Sequence, residues 1–286
     1  PRTYPGTSAA VMGLFSGLHT KVAVYMLYRL YVQLFDLEQR WNVLIIVIMI
    51  ISMMIGAFGG LAENSIRRVL GYQMLNGMPF ILVMLAFTSD DPRRALAAGI
   101  MYTIHHMLTV GSLILASGAI EETYGTGLLS KLSGLARRDP IIAWIFAAGA
   151  FSVVGFPPFS GMWGKLMIVF EIARVGGAWA WIAIAAIIIA SFAAFLAMLR
   201  VWRKVFWGKG LPEDKVPDEL VIRKKLMAPS AALILGSLCM FIFSGIVLDV
   251  VDSAAEQLLD TNAYTETVLG DEPIAVPTID EIQEGR

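Results

Sequence analysis

Apolar residues fill seven long stretches of the chain, and short polar segments separate them. A helix needs about 20 mainly apolar residues to cross a bilayer. The fifth stretch reaches that length only as two shorter runs joined together. The stretches lie at about residues 8–35, 42–61, 69–87, 95–120, 140–172, 178–201 and 227–250. This pattern predicts an all-α polytopic membrane protein with about seven transmembrane helices.

The fifth stretch is interrupted by the segment GFPPFSGMWGK at residues 155–165. Its two prolines carry no backbone N–H, and the residue before a proline is pushed out of the α region. Its glycines allow dihedral angles that other residues avoid. Backbone groups left unpaired at mid-membrane are tolerated only where they face protein or water. The sequence therefore predicts a discontinuous helix with these residues at its break: Gly155, Pro157, Pro158, Ser160 and Gly161.

Lys165 follows this break directly and places an amine at membrane depth. A charged lysine at the bilayer centre costs about 2.5–3.5 kcal/mol on insertion scales. A broken helix beside a buried charge is typical of ion-translocating proteins. The alternative is a kinked structural helix from which Lys165 extends to a lipid headgroup.

The first and fourth stretches also carry polar groups at membrane depth. Lys21 lies deep in the first stretch, close to His19. The fourth stretch has polar residues spaced by three and four positions, with His106 beside them: Tyr102, His105, Thr109 and Ser112. At 3.6 residues per turn these form one stripe, which we expect to face a wet interior where imidazoles can pass protons. The alternative is that the histidines only hydrogen-bond helices to one another.

Together these groups predict a proton relay formed by Lys21, His105, His106 and Lys165, with the remaining polar residues in supporting positions. Burial disfavours the charged form of an amine, so a buried lysine can take up and release a proton near neutral pH. Neighbouring ammonium groups repel each other, so protonating one favours release from the next. This coupling could move protons sideways between two half-channels.

Composition excludes several functional classes. The 286 residues are 57% hydrophobic and their formal net charge is −1, which gives no argument for a nucleic-acid partner. The single cysteine, Cys239, supports neither a disulfide framework nor a metal cluster. No nucleophile–base pair or phosphate-binding loop is recognisable. We therefore expect no catalytic residues, no metal and no cofactor.

Basic residues are distributed unequally between the polar connections. The richest cluster, at residues 200–225, should lie on the same side as Arg67, Arg68, Arg137 and Arg138. The side richer in Lys and Arg is normally cytoplasmic, which places the C-terminus on the outer face. We divide the chain into a transmembrane domain, 1–251, and an acidic tail, 252–286. The tail is predicted to be a surface helix followed by a flexible segment.

Several pieces resemble the antiporter-like subunits shared by respiratory complex I, membrane-bound hydrogenases and Mrp-type Na⁺/H⁺ antiporters. The matching segments are SGLHTKVAVYMLYRL (16–30), GAFGGLAENSIRRVLGYQ (56–73), MYTIHHML (101–108) and GFPPFSGMWGKLMIV (155–169). Within this group the chain most resembles the D subunits of Mrp-type antiporters. The segment around Lys21 and the tail segment LLDTNAYTETVLG (258–270) both favour that assignment.

The resemblance implies a protein of about fourteen helices built from two inverted five-helix repeats. This chain would supply one half of that fold: the second repeat, the helix before it and the helix after it. Lys165 would be the lysine of the discontinuous helix, Lys21 the lysine before the repeat, and His105 or His106 the titratable group between them. The glutamate and lysine expected in the first repeat do not occur here. The upstream half would therefore be left out of this chain or lie on another, and we expect no transport by this chain alone.

One position departs from the family pattern. Many relatives carry a lysine a few residues after the histidine, where this chain reads HHMLTVGS and places Val110. A relay in this chain would then depend on the histidines, or the subunit would conduct weakly.

The leading interpretation is a proton-conducting subunit of a multisubunit monovalent cation/H⁺ antiporter in the bacterial cell membrane. It would exchange H⁺ for Na⁺ or another monovalent cation together with other Mrp-type subunits. One alternative is a proton-pumping subunit of complex I or of a membrane-bound hydrogenase. Another is a structural membrane subunit without conduction.

Overall fold

The computed structural model describes residues 6–209 and 220–270, which form helices joined by short connections. Three further features are a π-helical turn at Phe15–His19 inside the first helix, another at Trp202–Phe206 and a short helix at Leu135–Arg138. The main helices are α1 (Ala9–Phe35), α2 (Asn42–Ala62), α3 (Ile66–Leu82), α4 (Pro92–Tyr124), α5 (Pro140–Val154), α6 (Gly161–Val175), α7 (Gly177–Val201), α8 (Lys224–Ile242), α9 (Ser244–Leu259) and α10 (Thr261–Leu269).

The predicted membrane fold is confirmed. Within the described residues, six helices are long and apolar enough to cross a membrane: α1, α2, α3, α4, α7 and α8. The fifth predicted stretch forms the pair α5 and α6, each of 15 residues. A helix of that length spans only about 22 Å, less than the hydrocarbon thickness of about 30 Å. The two helices therefore cross the membrane only as a broken pair.

The break between α5 and α6 is closed by its own backbone. Gly155 adopts φ of 101°, and both its N–H and that of Phe156 donate to the carbonyl of Phe151. This positive-φ closure ends α5 where the sequence predicts it. On the other side, a Cβ on Gly161 would lie 1.9 Å from the carbonyl oxygen of Ser152. Glycine therefore allows the first turn of α6 to touch the last turn of α5.

The last predicted stretch, 227–250, differs from the structure. α8 ends at Ile242, and a new helix, α9, begins at Ser244 and runs to Leu259, through the predicted boundary between residues 251 and 252. Three residues of α9 spaced by three and four positions are buried in the core: Val251, Ala255 and Leu258. Packing therefore continues beyond residue 251. The next helix, α10, is largely exposed, while residues 271–286 lie outside the described part of the chain.

α4 is the central helix of the structure. Its 33 residues span about 50 Å. Asp91 caps its first turn by accepting from the N–H of Arg94, Pro92 follows the cap, and Gly125 ends the helix with φ of 68°. These end signals extend the helix beyond the predicted apolar stretch at 95–120. The neighbours α1, α3, α5, α6, α8 and α9 all pack against α4. Its polar stripe therefore lies in the interior of the helix bundle.

Charged residues gather at the two ends of α4. At its C-terminal end, Arg67 forms an ion pair with Glu121. At its N-terminal end, Arg93 pairs with Asp252 of α9 at 3.1 Å, and Arg29 donates to the carbonyl of Leu258. These contacts place Arg67 and Arg93 at opposite ends of the bundle.

Candidate functional site

Lys21 lies in the interior just after the π-helical turn of α1. Its side chain is buried, with 6% of the residue exposed. Its Nζ donates to the main-chain carbonyl of Ser16 at 2.8 Å and to the hydroxyl of Thr20 at 3.3 Å. π-helical turns often occur at functional sites. Here the turn brings a main-chain carbonyl within reach of the amine and so gives it a further acceptor in a mainly apolar environment.

His106 is the direct partner of Lys21. Its Nδ1 lies 2.8 Å from Nζ of Lys21, and the histidine is 2% exposed. α3 approaches the other side of the ring at Gly77, where a Cβ would lie 2.0 Å from Cδ2 and Nε2 of His106. Only a glycine leaves room for the ring in this orientation. The structure therefore joins two predicted relay residues that are 85 positions apart in the chain.

His105 belongs to a closed ring of hydrogen-bonding groups on another face of α4. Its Nδ1 lies 2.9 Å from the hydroxyl of Ser160, which lies 2.7 Å from that of Ser237. Ser237 lies 3.0 Å from Ser152, and Ser152 lies 2.8 Å from Thr109. The hydroxyl of Thr109 returns to Nδ1 of His105 at 3.3 Å. We call these five residues the hydroxyl ring.

The hydroxyl ring lies at the break of the discontinuous helix and joins four parts of the fold. Its members come from α4, α5, the last position before α6, and α8. A hydroxyl can donate one hydrogen bond and accept others, so the hydrogen bonds among the four hydroxyls can reorient without moving heavy atoms, while Nδ1 of His105 donates or accepts according to its tautomer. This arrangement stabilises the contact of α4 with the broken helix and can also carry a proton. The ring hydrogen-bonds α4 to neighbouring helices, and proton transfer along the stripe stays a prediction.

Lys165 occupies the other side of the break. Its Nζ donates to the main-chain carbonyl of Val154 at 2.8 Å and to the hydroxyl of Ser191 at 2.9 Å. Val154 is the last residue of α5, and the final carbonyls of a helix have no partner within the helix. A positive charge also interacts favourably with a helix C-terminus. The ammonium thus points into the protein, and its geometry does not fit the alternative in which Lys165 extends to a headgroup.

Aromatic rings occupy the space between Lys165 and the histidines. Nζ of Lys165 lies 5.2 Å from the ring centre of Phe80, within the range of a cation–π contact. Tyr102 stacks on Phe80 with ring centres 5.1 Å apart and meets His105 edge-on, also at 5.1 Å. Tyr102 therefore supports the site by packing between the lysine side and the histidine side.

Two predicted supporting residues have different positions. Ser112 lies on the predicted stripe, where its hydroxyl donates to the carbonyl of Ser230 and the hydroxyl of Ser230 donates to the carbonyl of Ser112, both at 2.8 Å. This pair fastens α8 to α4, away from the histidines. His19 is exposed on the outer surface of α1, where it packs against Phe15. Because it faces away from Lys21, His19 does not join the site.

Sequence reasoning missed the partners of the predicted residues. Ser16, Ser152, Ser191 and Ser237 all contact the relay groups or the hydroxyl ring. Each lies in a mainly apolar stretch, where a serine is a weak signal because it can also bond its own backbone. In residues 6–209 and 220–270, no group of three or more His, Cys, Asp and Glu side chains could hold a metal ion.

The structure places the protonatable groups in three parts. The first is Lys21 with His106, and the second is the hydroxyl ring, which includes His105. The two histidines are adjacent in sequence and so point about 100° apart around α4. Lys165 forms the third part. Phe80 and Tyr102 pack between its ammonium and His105. Amines, imidazoles and hydroxyls in such an order can exchange protons, because each can both accept and donate.

Comparisons with known proteins point to one family. The family described as NADH:quinone oxidoreductase/Mrp antiporter, TM, matches residues 1–194. The chain is 31% identical over 271 residues to the D subunit of the Na⁺/H⁺ antiporter of Bacillus subtilis (strain 168), covering 94% of this chain and 53% of the relative. It is 27% identical over 243 residues to the N subunit of the NADH-quinone oxidoreductase of Cupriavidus taiwanensis, covering 82% and 49%.

A solved structure indicates the same family. A chain in the structure of the Mrp complex from Dietzia sp. DQ12-45-1b superposes with a TM-score of 0.87 at 33% identity. The match covers 94% of this chain and 57% of that one. The present chain thus spans about half the length of the curated relatives it matches.

Proposed function

The chain belongs to the membrane family shared by NADH:quinone oxidoreductases and Mrp antiporters, and from this membership we propose that it conducts protons within a D-type subunit of a multisubunit cation/H⁺ antiporter. The observation that carries this proposal is the buried contact between Lys21 and His106 at 2.8 Å. An amine and an imidazole are costly to bury inside a membrane protein, and such groups usually mark proton pathways. Packing alone would be served as well by apolar side chains.

Protons would reach Lys21 through a side cavity between α1, α4 and α9. This cavity has a volume of about 350 Å³ and is lined by Lys21, Thr103, Arg29 and Gln257 among others. Arg29 and Gln257 lie toward the end of the bundle where Arg93 pairs with α9. From Lys21 the path would run through His106 and His105 to the hydroxyl ring and on to Lys165.

Lys165 would serve as the last protonatable group of the path. The break of the discontinuous helix exposes the carbonyl of Val154 to its ammonium. Loss of the proton would remove the charge that holds this contact, and the amine would then be free to turn toward another group. Lys165 and Lys21 would thus alternate between charged and neutral forms as protons pass.

The subunit would work with other subunits of an Mrp-type antiporter and with the upstream half of its own subunit. It would exchange H⁺ for Na⁺ or another monovalent cation across a bacterial cell membrane. Its C-terminus would face outward, because the basic residues are concentrated at the C-terminal end of α4.

A second candidate is a proton-pumping subunit of a respiratory complex. The similarity to the N subunit of an NADH-quinone oxidoreductase supports it, since that match covers 82% of the chain. The identity to the antiporter relative is higher and its coverage is wider, at 31% and 94%. The antiporter is therefore the better-supported proposal.

Substituting Lys165→Ala in the complete subunit, assembled with its partners in vesicles, tests the proposal. We expect Na⁺-dependent proton movement, followed with a trapped pH-sensitive dye, to be lost. Lys204→Ala is the matched control, because Lys204 is exposed just after α7 and should leave transport unchanged. A purely structural subunit would keep full exchange after Lys165→Ala. Proton movement that needs an electron donor and ignores Na⁺ would favour the respiratory candidate.

A further inference from the structure

A small cavity separates the two histidine-centred parts of the site. It lies between α3 and α4 and has a volume of about 10 Å³. A cavity of roughly that size can hold one water molecule. Its polar lining comes from Gln73 and Asn76 on α3 and from Tyr102, His105 and His106 on α4.

Polar atoms of three lining residues have no hydrogen-bond partner among the described residues. They are both amide atoms of Gln73, Oδ1 of Asn76 and Nε2 of His106. These residues are only 2%, 5% and 2% exposed. The main-chain carbonyl of Gln73 also faces the imidazole, but no hydrogen bond of normal geometry reaches Nε2. A buried polar atom without a partner costs about 1–3 kcal/mol, so four of them around one cavity indicate a bound ligand.

The chemistry of the four atoms defines the ligand. Oε1 of Gln73 and Oδ1 of Asn76 accept, and Nε2 of Gln73 donates. When Lys21 donates to Nδ1 of His106, the neutral ring carries its proton on Nε2 and donates as well. A site with two donors and two acceptors suits a neutral molecule that does both. The available volume restricts that molecule to water.

We propose that Gln73, Asn76 and His106 bind an ordered water that connects His106 with His105. This inference rests on the proposed proton conduction and supplies the step that direct contacts between the two histidines lack. Gln73 and Asn76 are positioning residues in this scheme, because they fix the water without themselves gaining or losing a proton.

The proton transfers run from Lys21 toward His105 and leave the water unchanged. Lys21 transfers a proton from Nζ to Nδ1 of His106, and the ring releases the proton on Nε2 to the oxygen of the water. The water passes one of its own protons to Nε2 of His105 and becomes neutral again, while Nδ1 of His105 releases its proton to the hydroxyl of Ser160. Lys21 is left as a neutral amine, ready for a proton from the side cavity. No oxidant, reductant or covalent intermediate is needed.

High-resolution electron cryomicroscopy of the wild-type complex tests the site without any variant. We expect density for an ordered water within hydrogen-bond distance of the Asn76 and Gln73 amides. A map that resolves waters elsewhere in the core but shows none in this cavity would overturn the proposal. This readout does not depend on transport.

Transport by two variants tests the role of the water. Val110→Ile adds a methylene to the apolar wall of the cavity, and Asn76→Leu removes one of the orphaned acceptors at similar size. We expect proton movement to fall by roughly tenfold or more, which corresponds to about 1.4 kcal/mol in the barrier. Val69→Ile is the matched control, because Val69 is fully buried and does not line the cavity.

The outcomes distinguish failure of the water step from failure of proton conduction as a whole. Wild-type rates in both variants, after assembly is verified by size-exclusion chromatography, would refute the water step. If Lys165→Ala also transports normally, proton conduction itself fails. Loss of transport in Lys165→Ala with full transport in Val110→Ile and Asn76→Leu leaves conduction standing and removes only the water.

Discussion

Replacing Gly161 with alanine tests the contact that holds the broken helix together. The added Cβ would lie 1.9 Å from the carbonyl oxygen of Ser152 and 2.9 Å from Cε1 of His105. The first of these atoms belongs to the backbone and cannot rotate away. The first turn of α6 would therefore have to move away from α5, and Ser160, the residue just before it, would move too.

The size of the effect follows from two opposing terms. Alanine in place of glycine favours a helix by about 1 kcal/mol. Overpacking of a well-packed core costs about 1–3 kcal/mol, and weakening the hydrogen bond between Ser160 and His105 adds roughly 0.5–1.5 kcal/mol. We expect Gly161→Ala to lower the free energy of unfolding by about 1–3 kcal/mol. A displacement of about 1 Å at a reacting group can also cost roughly a hundredfold in rate, so proton transport should fall much more than stability.

Two assays on the complete complex measure these effects. Thermal unfolding in detergent reports stability, and dye-monitored proton movement in vesicles reports transport. Gly245→Ala is the control, because nothing lies within 4 Å of a Cβ added at this position, which is helical. The control should unfold at the wild-type temperature or slightly higher. Wild-type stability and transport in Gly161→Ala would show that α5 and α6 do not touch at this glycine.

Three other predictions follow from single contacts. Gly77→Ala would place a methyl 2.0 Å from the His106 ring and should abolish transport while the complex still assembles, whereas Gly17→Ala, whose nearest neighbour is 4.0 Å away, should transport normally. Asp139→Ala removes the buried acceptor of two hydrogen bonds and should destabilise the protein by about 2–4 kcal/mol in thermal unfolding. Asp139→Asn should lower the free energy of unfolding by less than Asp139→Ala. Arg93→Ala breaks an exposed ion pair and should change the free energy of unfolding by less than about 1 kcal/mol, and a larger change would mean that the pair is buried in the assembled complex.

The break at residues 155–161 could be predicted because its cause is local. Glycine and proline restrict or extend the dihedral range of their own residues, and no distant contact is needed to interpret them. The depth of Lys165 follows from its distance to that break. The second interruption, at Phe243, carries a weaker signal, because only the pair Ser244 and Gly245 marks it and no proline is present. Its position depends on how α8 and α9 pack along α4.

The partners of the histidines could not be predicted for a different reason. Helical periodicity shows that His105 and His106 point in different directions, but not which helix lies in each direction. The structure assigns α1 to His106 and the break to His105. Apart from the contact between Thr109 and His105, the contacts of the hydroxyl ring join residues from 43 to 85 positions apart. His19 illustrates the same limit, since its closeness to Lys21 in sequence carries no information about which face it occupies.

Val110 is the position at which the sequence departs from the family pattern, and it also lines the small cavity between the histidines. The family resemblance implies a lysine at this position in many relatives. A lysine there would bring an ammonium to the cavity with Gln73 and Asn76 available as acceptors. In this chain Val110 is apolar, and Gln73 and Asn76 of α3 line a cavity with room for about one water. The relay would then replace a charged carrier by a neutral one, which lowers the electrostatic repulsion on Lys21 and on the protonated form of the histidines. The departure from the family pattern and the orphaned amides thus have one physical explanation.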